Sequence, residues 1–271
     1  MLAAALITFR EGLEAALIVG VVLAVLRRVG RPEWRTAVWW GVATAVALSL
    51  VAGLALYAVG AKMEGRAEEV FEGAAMLLAA AFLTWMIFWM QTQGRQIRER
   101  LEDDTRQALG TGRRGSLFGL AFFAVGREGV ETVLFLSAVA FADSGAVALA
   151  GGPVGLAVAV AVGWLLFAAS TRLDVRRFFQ VTGLLLVVVA AGLVAHGVHE
   201  LQEARLLPVV VEHVWDINPV LDEGSGAGSL LKALFGYNGN PSLIEVVSYV
   251  AFYGIVGALL WRQRPSAAKV A

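Results

Sequence analysis

The sequence predicts an all-α membrane protein with seven transmembrane helices, because of its composition, its long apolar runs and the placement of its charges. Of 271 residues, 58% are hydrophobic and 16% are charged, and the mean hydropathy is +0.71. Soluble domains carry roughly 25% charged residues, so a chain this apolar is expected in a bilayer. The chain has no cysteine, which excludes disulfides, thiolate metal sites and thiol catalysis.

Seven apolar stretches reach the roughly 20 residues that a helix needs to cross a bilayer. They are Leu2 to Leu26, Ala37 to Ala61, Val70 to Met90, Ser116 to Ala142, Val154 to Thr171, Phe178 to Glu200, and Val246 to Trp261. The first stretch is expected to remain as a helix rather than be cleaved as a signal peptide. No basic segment precedes it, and it stays apolar well beyond its internal charges.

Basic residues in the connections predict an external N-terminus and a cytoplasmic C-terminus. They concentrate in the first, third and fifth connections and in the C-terminal tail, as Arg27, Arg28, Arg31, Arg35, Arg95, Arg98, Arg100, Arg106, Arg113, Arg114, Arg172, Arg176, Arg177, Arg262, Arg264 and Lys269. The positive-inside bias makes these connections cytoplasmic. Most tryptophans, including Trp85 and Trp89, then fall at cytoplasmic helix ends, as an interfacial belt requires; Trp164 is an exception.

A short charged motif occurs twice inside the apolar runs, as "REGLE" at 10–14 and "REGVE" at 127–131. Each copy lies about ten residues into its span, near the bilayer midplane at 1.5 Å per residue. The first and fourth spans run in opposite directions, so the sequence predicts an inverted repeat of helices one to three and four to six, plus a seventh helix. Such repeats place a binding site at the midplane between the two halves.

We expect a single transmembrane domain over residues 1–271. Within it the first repeat covers about 1–92, the cytoplasmic connection about 93–115, the second repeat about 116–200, the extracytoplasmic segment about 201–242 and the last helix about 243–262.

Motif spacing indicates a site for a hard, multivalent cation. Residues three and four apart share one arc of a helix, so each arginine and its two glutamates project together. Gly12 and Gly129 are expected to let the two helices approach closely. Four carboxylates then converge as metal ligands, Glu11, Glu14, Glu128 and Glu131, with Arg10 and Arg127 as charge-balancing partners. Carboxylate oxygens suit hard cations and suit soft metals poorly.

The alternative interpretation is that each arginine merely neutralises the glutamate four residues on. Buried ion pairs are poor stabilisers, and ionisable residues inside a membrane usually serve function. The functional interpretation is therefore preferred, and the net of two negative charges attracts a cation without binding it irreversibly.

Several stretches carry a resemblance to a known family: "REGLEAALIVG", "AVGREGVETVLFL", "FEGAAMLLAAAFLTWMIFWM" and "FGYNGNPSLIEV". The chain resembles the oxidase-dependent iron transporters, the iron permeases of fungi and bacteria, over nearly its whole length. Both R-E-x-x-E motifs that define the family are intact. The resemblance implies a multi-pass permease of the bacterial cytoplasmic membrane that takes up iron, as ferric iron after a partner oxidises ferrous iron. That partner would be an extracytoplasmic oxidase or peroxidase, together with an iron-binding protein.

Under this resemblance iron is the transported substrate, no cofactor is permanently bound, the protein is not an enzyme, and its contacts are with membrane lipid and not with nucleic acid. Some members of the family are linked to other cations, so lead or manganese stays open as the substrate. A cation channel or a proton-coupled exporter that uses the same carboxylates is also open, and the direction of transport decides between them.

A second polar cluster lies at the predicted outer ends of spans three and six: Glu69, Glu72, His196, His199 and Glu200. It is either an outer vestibule that collects cations or a pair of solvated helix ends, and Glu72 and His199 are the residues closest to membrane depth. The acids and histidine of the 201–242 segment are interpreted as part of a solvated loop. The stretch "GRQIRERLEDDTRQALGTGRRG" is interpreted as an exposed cytoplasmic helix.

An intramembrane metallohydrolase is the alternative from another functional class. "HGVHE" at 196–200 superficially resembles zinc-protease helices, but those place their histidines four apart with a glutamate between them. Here the histidines are three apart and the glutamate follows. No third ligand is evident, so this alternative is disfavoured.

Overall fold

The computed structural model describes residues 1–60, 62–93, 97–142, 145–168 and 175–262, and over these ranges the chain is helical with no strand. The α-helices are α1 Leu2–Arg28, α2 Arg35–Gly60, α3 Arg66–Gln93, α4 Ile97–Gly110, α5 Arg114–Ala142, α6 Gly145–Ala168, α7 Val175–Glu203, α8 Gly226–Phe235 and α9 Leu243–Arg262, with a short 3-10 helix at Pro32–Trp34. The predicted all-α class is therefore confirmed over the described part of the chain.

Within the described ranges, four helical stretches are long and apolar enough to cross a membrane by length and composition: Pro32–Gly60, Arg66–Trp89, Val181–Glu203 and Leu243–Arg262. A shorter apolar stretch covers Ala150–Leu165 within α6. Helices α1 and α5 are 27 and 29 residues long, but each carries the three charges of its motif in its middle. Of the predicted features, Ala61, the end of the fifth span at Thr171, and Arg95, Arg172, Arg264 and Lys269 lie outside the described residues.

Residues that cannot continue a helix terminate several of the elements. Gly30 follows α1 with a φ of +73°, and Pro32 starts the next turn; glycine adopts this left-handed conformation without a steric penalty. At the end of α8, Gly236 has a φ of +65° and donates its N–H to Leu231 and Lys232 carbonyls. Its Cα also lies against Gly192 of α7, where an added Cβ would be 2.2 Å from the Gly192 Cα. Gly236 is therefore required by both its conformation and its packing.

Three helix pairs make the most extensive contacts: α1 with α6, α2 with α5, and α3 with α7. Small residues let the backbones approach, as is usual between membrane helices. A Cβ on Gly155 of α6 would lie 2.1 Å from the Ala5 carbonyl oxygen of α1, and one on Gly41 of α2 would lie 2.5 Å from the Phe118 carbonyl oxygen of α5. Helix α1 also contacts α5 directly, and α8 and α9 pack on α7.

Buried apolar side chains form two hydrophobic clusters. The first contains Ala3, Ala4 and Ile7 of α1 with Phe135, Ala138 and Val139 of α5, together with parts of α3 and α7. The second contains Val19, Val22 and Leu26 of α1 with Leu117, Ala121 and Val125 of α5. The start of α1 thus lies beside the end of α5, so the two helices are antiparallel.

The two connections interpreted as solvated are more structured than predicted. Helix α4 is the expected helix in the charged stretch, but Leu101 is buried in the second hydrophobic cluster, so one of its faces packs against the bundle. In the 201–242 segment α8 forms on a Ser225 cap, whose side chain accepts from the Gly228 N–H. Val214 and Ile217 donate backbone N–H groups to Pro241 and Gly239. These local bonds replace the water contacts that a loop would make.

Candidate metal centre

The two charged motifs form a polar layer between the two hydrophobic clusters. On α1 the first cluster ends at Ile7 and the second begins at Val19; on α5 the second ends at Val125 and the first resumes at Phe135. Both motifs fall in these gaps. Charges buried in such a layer are costly unless they are paired or bind an ion.

On α1, Arg10 holds both glutamates of its motif. Its Nη1 donates to Glu11 Oε1 at 2.5 Å, and its Nη2 lies 2.7 Å from Glu14 Oε1. The same Nη1 lies 3.1 Å from the Met86 sulfur of α3. Arg10 is only 1% exposed, so this guanidinium is enclosed by its own helix and by α3. Arg10 therefore pairs with both glutamates of its own motif.

On α5, Arg127 pairs mainly with the glutamate four residues on. Its Nε donates to Glu131 Oε1 at 2.8 Å and lies 3.8 Å from Glu128 Oε1. Its guanidinium carbon lies 4.6 Å from the centre of the Trp89 ring of α3, which is cation–π range. Both motif arginines therefore contact α3, one turn apart, at Met86 and Trp89.

Three of the four predicted ligands come together. Glu11, Glu128 and Glu131 are all buried, and one carboxylate oxygen from each lies within 4.8 Å of the others. A cation that binds oxygens at about 2.0–2.6 Å places opposite ligands about 4–5 Å apart. We call these residues the three-carboxylate group. Glu14 instead lies against Arg10.

Each member of the three-carboxylate group keeps a buried oxygen with no hydrogen-bond partner among the described residues: Glu11 Oε2, Glu128 Oε2 and Glu131 Oε2. Buried polar atoms are nearly always paired, and each exception needs an explanation. Three buried carboxyl groups that lie together, each with one oxygen unpaired, are a suitable donor set for a hard cation. The arrangement can therefore bind a multivalent cation.

The expectation that Gly12 and Gly129 bring α1 and α5 together is wrong. A Cβ on Gly12 would lie 2.9 Å from the Ala159 Cβ of α6, and one on Gly129 would lie 2.0 Å from the Ser49 hydroxyl of α2. At 100° per residue, Gly12 points about 100° away from Glu11, on the side opposite Glu14. Each glycine therefore serves the contact with the neighbouring helix, while the glutamates face the other motif.

Within the predicted outer vestibule, Glu200 lies close enough to Glu72, Glu69 and His199 for their charges to interact. Glu72 and Glu200 flank the close crossing of α3 and α7, where a Cβ on Gly73 would lie 3.1 Å from the Glu200 Cβ. His196 turns back to the Gly192 carbonyl oxygen at 3.0 Å. Glu69 lies in the first turn of α3.

His199, the fifth residue of that cluster, binds a residue that the sequence analysis did not single out. Its Nδ1 lies 3.0 Å from Glu245 Oε1 and its Nε2 lies 3.3 Å from Glu203 Oε1. Glu245 is buried and also accepts from the Ser242 N–H at 3.1 Å and from the Asn238 amide at 2.8 Å. Ser242 and Glu245 form a capping box at the start of α9, a pattern visible in the sequence as S-x-x-E.

Replacing Glu245 by alanine is expected to destabilise the protein by about 2–4 kcal/mol, because it removes a helix cap and leaves buried donors unpaired. Thermal unfolding in detergent measures this. Glu212→Ala is the matched control, since Glu212 is exposed in the same segment. Equal unfolding temperatures for the two variants would show that Glu245 does not join α7 to α9.

Comparison with known proteins identifies the family. The sequence profile of the iron permease FTR1 family matches residues 1–263. The protein named ferrous iron permease EfeU from Escherichia coli O6:K15:H31 (strain 536 / UPEC) is 38% identical over 257 residues, covering 94% of this chain and 92% of that protein. The protein of that name from Yersinia pestis is 37% identical, covering 94% and 90%. No solved structure matches the chain significantly. The chain therefore belongs to the iron permease FTR1 family, and it is an integral membrane transporter rather than an enzyme.

Proposed function

We propose that this protein takes up iron across the cytoplasmic membrane through a midplane site built from Glu11, Glu14, Glu128 and Glu131. The observation that carries the proposal is the three-carboxylate group, whose unpaired oxygens lie between two antiparallel helices. Arg10 and Arg127 offset the repulsion between the carboxylates when no ion is bound. Iron is the transported substrate, and no resident cofactor is needed.

The proposed architecture is seven spans in an inverted repeat, with α1, α2 and α3 related to α5, α6 and α7, and with α9 as the last span. Helix pairing supports it. In such a repeat α1 corresponds to α5, α2 to α6 and α3 to α7. The α1–α6 pair then corresponds to the α5–α2 pair, and the α3–α7 pair corresponds to itself. Among the described residues these are the three most extensive helix contacts. The two motif glycines follow the same exchange, because Gly12 of α1 packs against α6 and Gly129 of α5 packs against α2. The proposed repeats are about 1–92 and 116–200, joined by the 93–115 connection.

The basic connections place the α1 N-terminus outside and the end of α9 inside. The 201–242 segment is then extracytoplasmic. Glu72 and Glu200 lie on the outer side of the α3–α7 crossing in this orientation, so we propose that they attract cations toward the site rather than hold them at it.

The permeating species is proposed to be ferric iron formed from ferrous iron by an extracytoplasmic oxidase or peroxidase. The relatives are named for ferrous iron, which is consistent with ferrous iron being the form supplied. Hard carboxylate ligands suit the higher charge of the ferric ion. Another multivalent cation, such as manganese or lead, is the second candidate because the same donor set accepts it.

Uptake of labelled iron by cells tests the function. Cells express either the wild-type protein or its Glu14→Ala variant. They are given ferrous iron, with or without the oxidising partner, or chelated ferric iron. The proposal predicts uptake by the wild type only, and faster uptake when oxidation is allowed. If excess manganese or lead leaves iron uptake unchanged, those cations are not substrates of the site. If the wild type and the Glu14→Ala variant take up iron equally, the proposed carboxylate site is wrong.

Uptake is expected to depend strongly on membrane potential. A potential of 100 mV contributes about 2.3 kcal/mol for each charge that moves inward, or about 7 kcal/mol for a trivalent ion. Adding an uncoupler to cells or dissipating the potential of vesicles with an ionophore should therefore slow uptake of labelled iron severely. Uptake that is unchanged after the potential has collapsed would rule out a potential-driven permease.

A further inference from the structure

The order of the charged residues along the bundle follows from the antiparallel arrangement of α1 and α5. From the end where α1 begins, α1 presents Arg10, then Glu11, then Glu14. Helix α5 presents Glu131, then Glu128, then Arg127 in the same direction. Arg10 therefore lies on one side of the three-carboxylate group, at the end formed by its member Glu131, and we call this the entry side. Glu14 and Arg127 lie on the other, which we call the exit side.

The two sides differ in exposure although the motifs match in sequence. On the entry side the Arg10 and Glu131 side chains are each 2% exposed. On the exit side the Glu14 side chain is 11% exposed and that of Arg127 is 42% exposed. The site is thus sealed toward the start of α1 and open toward the start of α5.

The exposed side of Arg127 lies between α3 and α5 with aromatic residues beside it, and we call this surface the groove. Trp89 lies against the Arg127 guanidinium and stacks on Trp85 at a ring separation of 6.4 Å. On α5, Phe123 and Val130 lie on the same face as Arg127 and are exposed. A guanidinium that is half exposed at this depth is costly in hydrocarbon, so water must reach it.

The contacts of Arg127 give it two alternative partners. Its Nε binds Glu131 Oε1 at 2.8 Å, and its guanidinium carbon lies 4.6 Å from the centre of the Trp89 ring. A cation that takes the Glu131 oxygens weakens the first contact, and the ring then retains the arginine. Arg10 has no comparable freedom, because it is enclosed between its two glutamates and the Met86 sulfur.

We propose that the groove between α3 and α5 is the route by which the cation leaves the site, and that Trp89 is the positioning residue that holds Arg127 aside while the cation passes. This inference rests on the proposed function. In this structure the entry side is the more buried of the two. In the proposed orientation the groove leads to the cytoplasm, since α3 ends and α5 begins on that side.

Cysteine labelling tests the route directly, because the chain has no natural cysteine. Trp89→Cys is treated in vesicles of both orientations with a charged, membrane-impermeant thiol reagent. Thr111→Cys in the α4–α5 connection marks the exit side and Glu64→Cys between α2 and α3 marks the entry side; both positions are exposed. Val250→Cys on the exposed face of α9 serves as a position expected to resist the reagent from both sides.

The proposal predicts that the cysteine at position 89 reacts only from the side that also labels position 111, and that added ferric iron, the proposed permeating species, slows the reaction. Reaction from the side that labels position 64 would overturn the direction of the route. Reaction from neither side would show that lipid or a second copy of the chain covers the groove, which would overturn the route itself.

Transport kinetics test the role of Trp89. Trp89→Leu should lower the maximal rate of iron uptake by roughly 3- to 30-fold, the factor expected for the loss of a cation–π contact, while the half-saturating iron concentration changes little. Trp89→Phe keeps an aromatic face and should restore most of the rate. Leucine and phenylalanine variants with equal rates would remove the positioning role. Uptake that survives in Glu131→Gln would instead refute the proposed iron site, whatever the Trp89 variants do.

Discussion

Glutamine in place of Glu131 is expected to lower iron uptake by roughly 100-fold or more, the largest functional effect predicted for a single substitution. Residues that only support a metal ligand cost about 10- to 100-fold when they are replaced, and Glu131 is placed to bind the ion itself. Its carboxylate also pairs with Arg127 at 2.8 Å. A neutral amide therefore removes a ligand and leaves the arginine with one fewer counter-charge. Uptake of labelled iron, normalised to the amount of protein in the membrane, measures the effect.

The matched control is Glu33→Gln, which removes an exposed carboxylate from the α1–α2 connection and should transport normally. Glu11→Gln and Glu128→Gln should behave like Glu131→Gln. Glu14→Gln should also block uptake, but the purified protein should still bind iron, because Glu14 lies outside the three-carboxylate group. Normal uptake by the Glu131 variant would remove these carboxylates from the transport path.

Alanine in place of Gly155 is expected to cause a large loss of stability. Its Cβ would lie 2.1 Å from the Ala5 carbonyl oxygen and 2.2 Å from the Thr8 hydroxyl oxygen, so α6 has to move away from α1. Overpacking of this kind typically lowers the stability of a protein by about 1–3 kcal/mol. Here the nearest neighbour is a backbone oxygen, which cannot move away by a change of rotamer. Thermal unfolding in detergent should begin at a clearly lower temperature.

Gly254→Ala in α9 is the control, because nothing lies within 4 Å of the added methyl group. Alanine is the better helix former by about 1 kcal/mol, so this variant should be at least as stable as the wild type. If both variants unfold at the same temperature, the α1–α6 contact is looser than the structure shows.

The sequence alone predicted the all-α class and the charged residues of the candidate site. Apolar runs of sufficient length define most of the helices, and the spacing of Arg10, Glu11 and Glu14 places them on one arc whatever the tertiary structure. Which carboxylates meet depends on how far α1 and α5 are rotated about their axes. That rotation is set by the packing of α1 against α6 and of α5 against α2. This long-range packing cannot be predicted from the spacing of residues along one helix.

Other features had a weaker sequence signal or none. Met86 looks like any apolar residue of α3, and only the fold shows that its sulfur meets Arg10. Trp89 was predicted as an interfacial anchor rather than as a partner of Arg127. Glu245 was the residue that could have been found, since Ser242 lies three positions before it at the start of an apolar run. Helix α8 depends on Gly236 fitting against Gly192, a long-range contact.

The exchange of partners between the two halves also constrains how the protein is made. Helix α1 carries the three charges of its motif, two of them buried, and its most extensive partner, α6, begins only at Gly145. A nascent chain that has delivered α1 to the membrane therefore holds those charges without their final surroundings until the second half emerges from the ribosome. Neither half has a complete set of partners by itself. We expect biogenesis to be all or none: a gene cut between α3 and α5 should yield two fragments that are each degraded when expressed singly and are rescued only by co-expression.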